Sequence, residues 1–241
     1  MDDELESLLR DLRLHRTSEI IASEVERATK EKPSYPQFLL RLLKEENGAR
    51  RERALAYRIA QARMPERLSL TTFPFDRQPG VDPTMIRTLA ELEFVKRAQN
   101  LVFIGPTGVG KTGIATGILL RALENGHRGL FVRAQDLFEE MYASLADRST
   151  RSLLDRLCKV DVLLIDEMGY LNLKPEQSNI FFKLMEERYG KKSTLITTNL
   201  RYEEWYEFLG NKLMVGALID RLRHRCTTIE IVGPSLRTPE G

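Results

Sequence analysis

The residues with the most chemical potential in this chain of 241 stand in three short segments. The first, Gly105-Pro106-Thr107-Gly108-Val109-Gly110-Lys111-Thr112, fits the spacing G-x-x-x-x-G-K-[ST], with an apolar run before it and a helical pattern after it. Glycines at this spacing let the backbone wrap closely with its N–H groups turned inward. The helix that follows offers unsatisfied N–H groups and the positive end of its dipole, so a phosphate meets several donors at once. Lys111 adds a point charge at the β and γ phosphates, and Thr112 a hydroxyl for the Mg²⁺ that bridges them. Gly113 adjoins the same cradle. It and Gly117 are unusual inside a helix, each costing up to about 1 kcal/mol against alanine, and close packing on a sheet is the expected reason.

The second segment, Val160-Asp161-Val162-Leu163-Leu164-Ile165-Asp166-Glu167, reads as an apolar strand ending in two acids. Asp166 leaves the carboxyl end of a buried strand, where ligands bind in open α/β sheets, and suits the Mg²⁺ shell. Glu167 beside it can orient and polarise a water for in-line attack on the γ-phosphate, which a nucleotide kinase would not need. The third segment is Thr197-Thr198-Asn199. Asn199 either points its amide at that water or the γ-phosphate, or caps a helix starting near Arg201; the two roles are compatible. The guanine-reading pattern N-K-x-D is absent, because Asn211-Lys212-Leu213 is followed by Met214. Adenine is the expected base, and ATP with Mg²⁺ the expected ligand.

These residues need strands to deliver them and helices to frame them. Strand patterns fall at Asn100 to Gly105, Gly129 to Arg133, Val160 to Asp166, Ser193 to Thr198 and Thr227 to Val232, with helical patterns near 111–125, 135–157, 176–190 and 213–225. Such alternation predicts βαβ units around a parallel sheet, an α/β fold over 85–241. Upstream, Leu5, Leu8, Leu9 and Leu12, then Ile20, Ile21 and Val25, then Phe38, Leu39, Leu42 and Leu43 repeat at helical spacing and predict a small all-α domain over 1–67. Pro33 and Pro36 separate its second and third helices. Pro65, Pro74, Pro79 and Pro83 mark 68–84 as an extended linker.

A hydrophobic share of 42% with 30% charged residues excludes a disordered chain. No apolar run approaches the roughly 20 residues that a membrane helix needs, and the acidic start Met1-Asp2-Asp3-Glu4 lacks the form of a secretory signal. A cytoplasmic protein without membrane contact is expected. Cys158 and Cys226 stand apart from any second cysteine or histidine pair and read as buried, reduced thiols. The net charge of +2 is uninformative, but its distribution is uneven: residues 1–31 lean acidic, while 41–67 and Lys212 to Arg225 lean basic. Solvated helix faces account for such runs; phosphate neutralisation on DNA is the competing reading.

The phosphate loop, Ile165-Asp166-Glu167-Met168-Gly169-Tyr170-Leu171, the Thr198-Asn199 strand end and Ile219-Asp220-Arg221-Leu222 together resemble the AAA+ ATPases of the IstB and DnaC group. The likeness extends upstream through Leu12-Arg13-Leu14, Tyr35-Pro36-Gln37-Phe38-Leu39 and Glu45-Glu46-Asn47 and so covers nearly the whole chain. It implies an AAA+ P-loop NTPase core with sheet order 5-1-4-3-2 and no separate lid domain. It also implies ATP-dependent self-association on DNA, recruitment or stimulation of a partner transposase, and disassembly on hydrolysis. Arg221 matches the arginine finger that reaches a neighbouring subunit's nucleotide. Arg223 and Arg225 compete for that role, Arg225 lying four residues on and sharing a helical face with Arg221, and a basic helix end that satisfies the dipole is the alternative. Arg237, in Gly233-Pro234-Ser235-Leu236-Arg237, matches the second sensor arginine, although Pro234 and Leu236 depart from the family's Gly-Glu-Ser-Tyr-Arg. Arg148, Arg151 and Arg156 lie where related initiator-type ATPases carry a DNA-facing insertion, which implies salt-dependent duplex binding with little base specificity. A replicative helicase loader shares this core, and an adaptor that binds ATP without hydrolysing it is the alternative of another class.

Overall fold

The computed structural model describes residues 3–65, 68–169 and 171–237, so Tyr170 and the 66–67 end of the expected helical domain lie outside the described residues. The chain divides into two compact units, Met1–Tyr57 and Arg58–Gly241.

The first unit holds α1 (Asp3–Asp11), α2 (His15–Glu31) and most of α3 (Tyr35–Ala62). Its core is small: Leu9, Ile21 and Leu42, with Leu14, Ile20 and Phe38 packed around them. Pro36 stands in the first turn of α3, where a missing N–H costs no helical hydrogen bond. Glu46, 3% exposed, accepts hydrogen bonds from the Thr17 N–H (2.9 Å) and hydroxyl (3.3 Å) and pairs with Arg53 at 3.2 Å, which joins α3 to the start of α2. Burial pushes the Glu46 carboxyl up, but the two Thr17 hydrogen bonds and Arg53 outweigh it, and the net displacement is downward.

The second unit is built on a five-stranded sheet: β1 (Asn100–Ile104), β2 (Gly129–Arg133), β3 (Val162–Met168), β4 (Ser193–Thr198) and β5 (Cys226–Glu230). The order is β2-β3-β4-β1-β5, every neighbouring pair is parallel, and this is the expected order 5-1-4-3-2. Side chains alternate between two cores. Leu101, Phe103, Val162, Leu164 and Leu195 face α6 (Lys111–Glu124) and the short helices α4 (Pro83–Leu89) and α5 (Glu93–Lys96). Val102, Ile104, Leu163, Ile165 and Ile196 face α7 (Ala134–Ala146), α8 (Thr150–Lys159), α9 (Pro175–Arg188), α10 (Trp205–Leu209) and α11 (Lys212–His224). A sheet buried on both faces explains why the strands read as continuous apolar runs.

Local signals set several boundaries. Asp82 accepts from the Thr84 N–H at 2.8 Å and Pro83 opens α4; Asn211 accepts from the Met214 N–H at 3.2 Å at the start of α11. The helix expected over 135–157 is two helices, because Arg148 adopts a left-handed backbone (φ +60°) between α7 and α8. Residues 68–84 fall within the second unit. Two 3₁₀ turns, Leu70–Thr72 and Phe75–Arg77, set Leu70, Phe73 and Phe75 against the core beside α6. The cysteines are unpaired and partly exposed rather than buried. Burial pushes the Cys226 thiol up to about 11. No described helix is long and apolar enough to cross a membrane.

Candidate active site

The carboxyl ends of β1, β3 and β4 open onto a cleft of about 920 Å³, within the range of small-molecule sites. Its floor is the phosphate loop, 105–112. Gly108 and Gly110 have φ of +87° and +94°, values a side chain would resist, and Gly110 precedes the first turn of α6 so that the helix N–H groups face the hollow. Lys111, half-buried, folds back on the loop and donates to the carbonyls of Gly105 (2.8 Å) and Pro106 (2.7 Å). Burial lowers its pKa, Asp166 and Glu167 partly restore it, and Arg237 lowers it further. A desolvated ammonium held only by carbonyls, with a second cation nearby, fits an anion in this hollow.

The two acids at the end of β3 have different surroundings. Asp166 is 4% exposed, and its Oδ1 accepts from the Thr112 hydroxyl at 2.8 Å and the Thr197 hydroxyl at 2.6 Å. Its second oxygen carries no hydrogen bond among the described residues, and a hydroxyl beside a carboxylate oxygen is the donor set Mg²⁺ uses next to nucleotide phosphates. No cluster of three or more His, Cys, Asp or Glu occurs among the described residues, so a divalent ion here would depend on phosphate and water for its remaining ligands. Glu167 is exposed to the cleft. Asn199 lines the same cleft, and its Oδ1 lies where a side chain on Gly169 (φ +140°) would stand, 2.7 Å from an added Cβ. It caps no helix at Arg201. The chain turns there, the Leu200 N–H bonds to the Thr198 hydroxyl at 3.0 Å, and the next helix begins at Trp205.

Leu68, Phe73, Pro74 and Leu236 form an apolar wall beside the loop. They also account for the glycines in α6. An added Cβ on Gly117 would meet Leu70 at 2.7 Å, and one on Gly113 would meet Phe73 and Leu68 at 3.7 and 3.9 Å. The space is taken by the segment 68–73, not by the sheet.

Sequence reasoning missed Gln78, which is wholly buried. Its Nε2 donates to the Val109 carbonyl of the phosphate loop (3.1 Å) and to the Pro234 carbonyl (3.0 Å). The Leu236 N–H donates to the Gly108 carbonyl at 2.8 Å, so the strap after β5 lies directly on the loop and brings Arg237 to the cleft. Gly80, Gly105 and Gly233 permit this approach: an added Cβ on each would come within 2.3 Å of the Val232 carbonyl, the Ile231 carbonyl and the Gln78 side chain, respectively.

Arg221 stands elsewhere. It lines a groove of about 420 Å³ with Asn100, at the amino end of β1, and pairs with Glu186 at 3.4 Å. One five-residue strand at about 3.3 Å per residue puts roughly 15 Å between this groove and the phosphate loop. Arg223 lies over the Tyr202 ring at 5.4 Å. Arg225 follows α11 rather than sharing a helical face with Arg221, and donates to the Arg97 carbonyl at 3.3 Å. Of the three arginines between β2 and β3, Arg148 is exposed in the α7–α8 turn, Arg151 pairs with Asp155 and Glu187, and Arg156 pairs with Glu140.

A family model described as IstB-like ATP binding protein matches residues 7–240. A protein of Pseudomonas aeruginosa named for ATP binding in insertion sequence IS21 is 37% identical, over 98% of this chain and 89% of its own. A counterpart from insertion sequence IS5376 of Geobacillus stearothermophilus is 35% identical, over 86% of this chain and 82% of its own. Among solved structures, DnaI superposes with a TM-score of 0.59 at 25% identity, covering 69% of this chain and 92% of its own. DnaA of Aquifex aeolicus bound to AMPPCP superposes at 0.57 with 19% identity, covering 70% of this chain and 50% of that one, a likeness of fold.

Proposed function

Because the chain belongs to the family of IstB-like ATP-binding proteins, we propose that it is a hydrolytic, ATP-switched factor that assembles on duplex DNA and presents it to a partner transposase. One observation carries this reading: two adjacent carboxylates meet the phosphate loop in different states, Asp166 buried against Thr112 and Glu167 open to the same cleft. That division suits one acid to hold Mg²⁺ and the other to polarise water.

Phosphate oxygens would replace the Gly105 and Pro106 carbonyls as partners of Lys111, and the loop N–H groups would take the remaining charge. Thr112 and Asp166 would hold Mg²⁺, which supplies neutralisation of the charge that develops on the phosphates. Glu167 orients and deprotonates the attacking water, Asn199 steadies it, and Arg237 adds positive charge from the strap. The apolar wall of Leu68, Phe73, Pro74 and Leu236 suits the adenine end of the nucleotide. Arg221, roughly 15 Å away along β1, can serve a γ-phosphate only in a second copy of the chain, which makes self-association part of the reaction. On DNA, Arg148 contacts phosphate directly, whereas Arg151 and Arg156 must first exchange their carboxylate partners.

The relatives' names tie them to insertion sequences, which favours a transposase as partner. The fold shared with the DnaC helicase loader, at a TM-score of 0.54 and 22% identity, keeps a helicase loader as the second reading, and co-purification with transposase or with replicative helicase separates the two. The primary test is electron microscopy of the chain with duplex DNA, with and without a non-hydrolysable ATP analogue, together with phosphate release. ATP-dependent filaments or rings and DNA-stimulated release are expected. A monomer on DNA that ignores ATP refutes the proposal.

A further inference from the structure

Glu167 owes its direction to an irregularity in the sheet. Pairing between β3 and β4 is regular through Ile165 opposite Ile196 and resumes at Met168 opposite Thr198. Two residues of β3, Asp166 and Glu167, therefore face one residue of β4, Thr197, which is a β-bulge. In an unbroken strand, successive side chains point to opposite faces, and Glu167 would leave the side that Asp166 serves. The bulge breaks that alternation by putting Glu167 in the left-handed region, φ +59°, which is uncommon for a residue with a Cβ and rarer still inside a strand.

Thr197 is the group that holds it. It is wholly buried, its hydroxyl oxygen accepts from the Glu167 N–H at 2.9 Å, and its hydroxyl proton goes to Asp166 Oδ1 at 2.6 Å. The directions are forced. An amide N–H can only donate, so the oxygen of Thr197 receives it, and the single hydroxyl proton is left for Asp166 Oδ1. One hydroxyl thus links the carboxylate paired with Thr112 to the backbone of the carboxylate that opens on the cleft.

We propose that Thr197 is a positioning residue for hydrolysis: its hydroxyl pins the bulge at Glu167 and couples the direction of that side chain to the position of Asp166. The proposal rests on the hydrolytic reading given above and adds to it a residue that acts through Asp166 and Glu167. Valine keeps the shape of threonine and removes the hydroxyl; serine keeps the hydroxyl.

The experiment compares wild type, Thr197→Val and Thr197→Ser by ATP affinity, by steady-state phosphate release and, without nucleotide, by amide hydrogen exchange at Glu167. Thr197→Val should lower kcat about 10-fold or more, the equivalent of one hydrogen bond, with ATP affinity within about threefold, and Thr197→Ser should recover most of the loss. The Glu167 amide of Thr197→Val should exchange about 10-fold faster or more, while Leu195 and Ile196 in β4 keep their protection, which separates a local release from general loosening. Turnover of Thr197→Val within about twofold of wild type, or an unchanged exchange rate at Glu167, overturns the proposal. If Thr197→Val does not fold, Thr197→Ala carries the same comparisons. A wild-type chain that binds ATP without releasing phosphate overturns the hydrolytic reading instead, and exchange at Glu167 then decides the anchor by itself.

Discussion

At the carboxyl end of the sheet, Asp166 joins Thr112 and Thr197 through hydrogen bonds of 2.8 and 2.6 Å, Lys111 is tied to the Gly105 and Pro106 carbonyls at 2.8 and 2.7 Å, and Asp166 and Thr197 are almost wholly buried. At the amino end, Arg221 is 44% exposed and has one carboxylate partner, Glu186, which is 64% exposed and 3.4 Å away. The first region is held by hydrogen bonds within the chain itself. The second is held by a surface ion pair of the kind that contributes about 0–1 kcal/mol, so a stronger acceptor can take Arg221 over at little cost. The contrast separates what a single copy of the chain prepares from what it leaves available to a neighbour.

Removing the available end should give the largest effect. Arg221→Ala is expected to bind ATP as wild type does yet lose about 10³-fold in turnover once assembled, within the usual contribution of an arginine finger; unchanged phosphate release would break the comparison. Glu167→Gln, at the prepared end, should lose about 10²-fold or more in turnover while keeping ATP binding and lengthening the lifetime of the DNA complex, which filter binding would measure. Lys111→Ala should weaken ATP by about 100-fold, close to the value of one buried charged hydrogen bond, and titration calorimetry tests it. Glu186→Gln sharpens the comparison from the other side: it should change turnover by less than about threefold, and a larger change would mean that the Arg221 end is also prepared in the single copy.

That the loop and the two acids line one cleft was legible because each group sits in one continuous stretch whose spacing carries its own geometry: a glycine cradle before a helix, and acids at the end of an apolar strand. The parallel sheet followed from alternation, but its order came from family likeness, since periodicity does not say which strands are neighbours. Thr197 and Gln78 were illegible for the same physical reason. A buried threonine in a strand and a glutamine among prolines look ordinary until partners 31 residues away, and for Gln78 also 156 away, are known. The break at Arg148 carries no glycine or proline to announce it, and the glycines of α6 answered to a segment that sequence alone had cast as a linker. Helical capping by Asn199 failed because no helix starts at Arg201, whose N–H is taken by the Glu204 carboxylate at 2.7 Å.

The clasp at Gln78 has a bearing on how the protein is made. It closes only when the stretch around Gly233 and Pro234 has reached the loop, and β5, which delivers that stretch, must first pair with β1, more than 120 residues earlier in the chain. Contacts of such long range form late. A growing polypeptide still lacking β5 therefore has its glycine cradle and its acids but not the brace that steadies them, so the ability to grip a nucleotide should arrive only once β5 has joined the rest of the sheet.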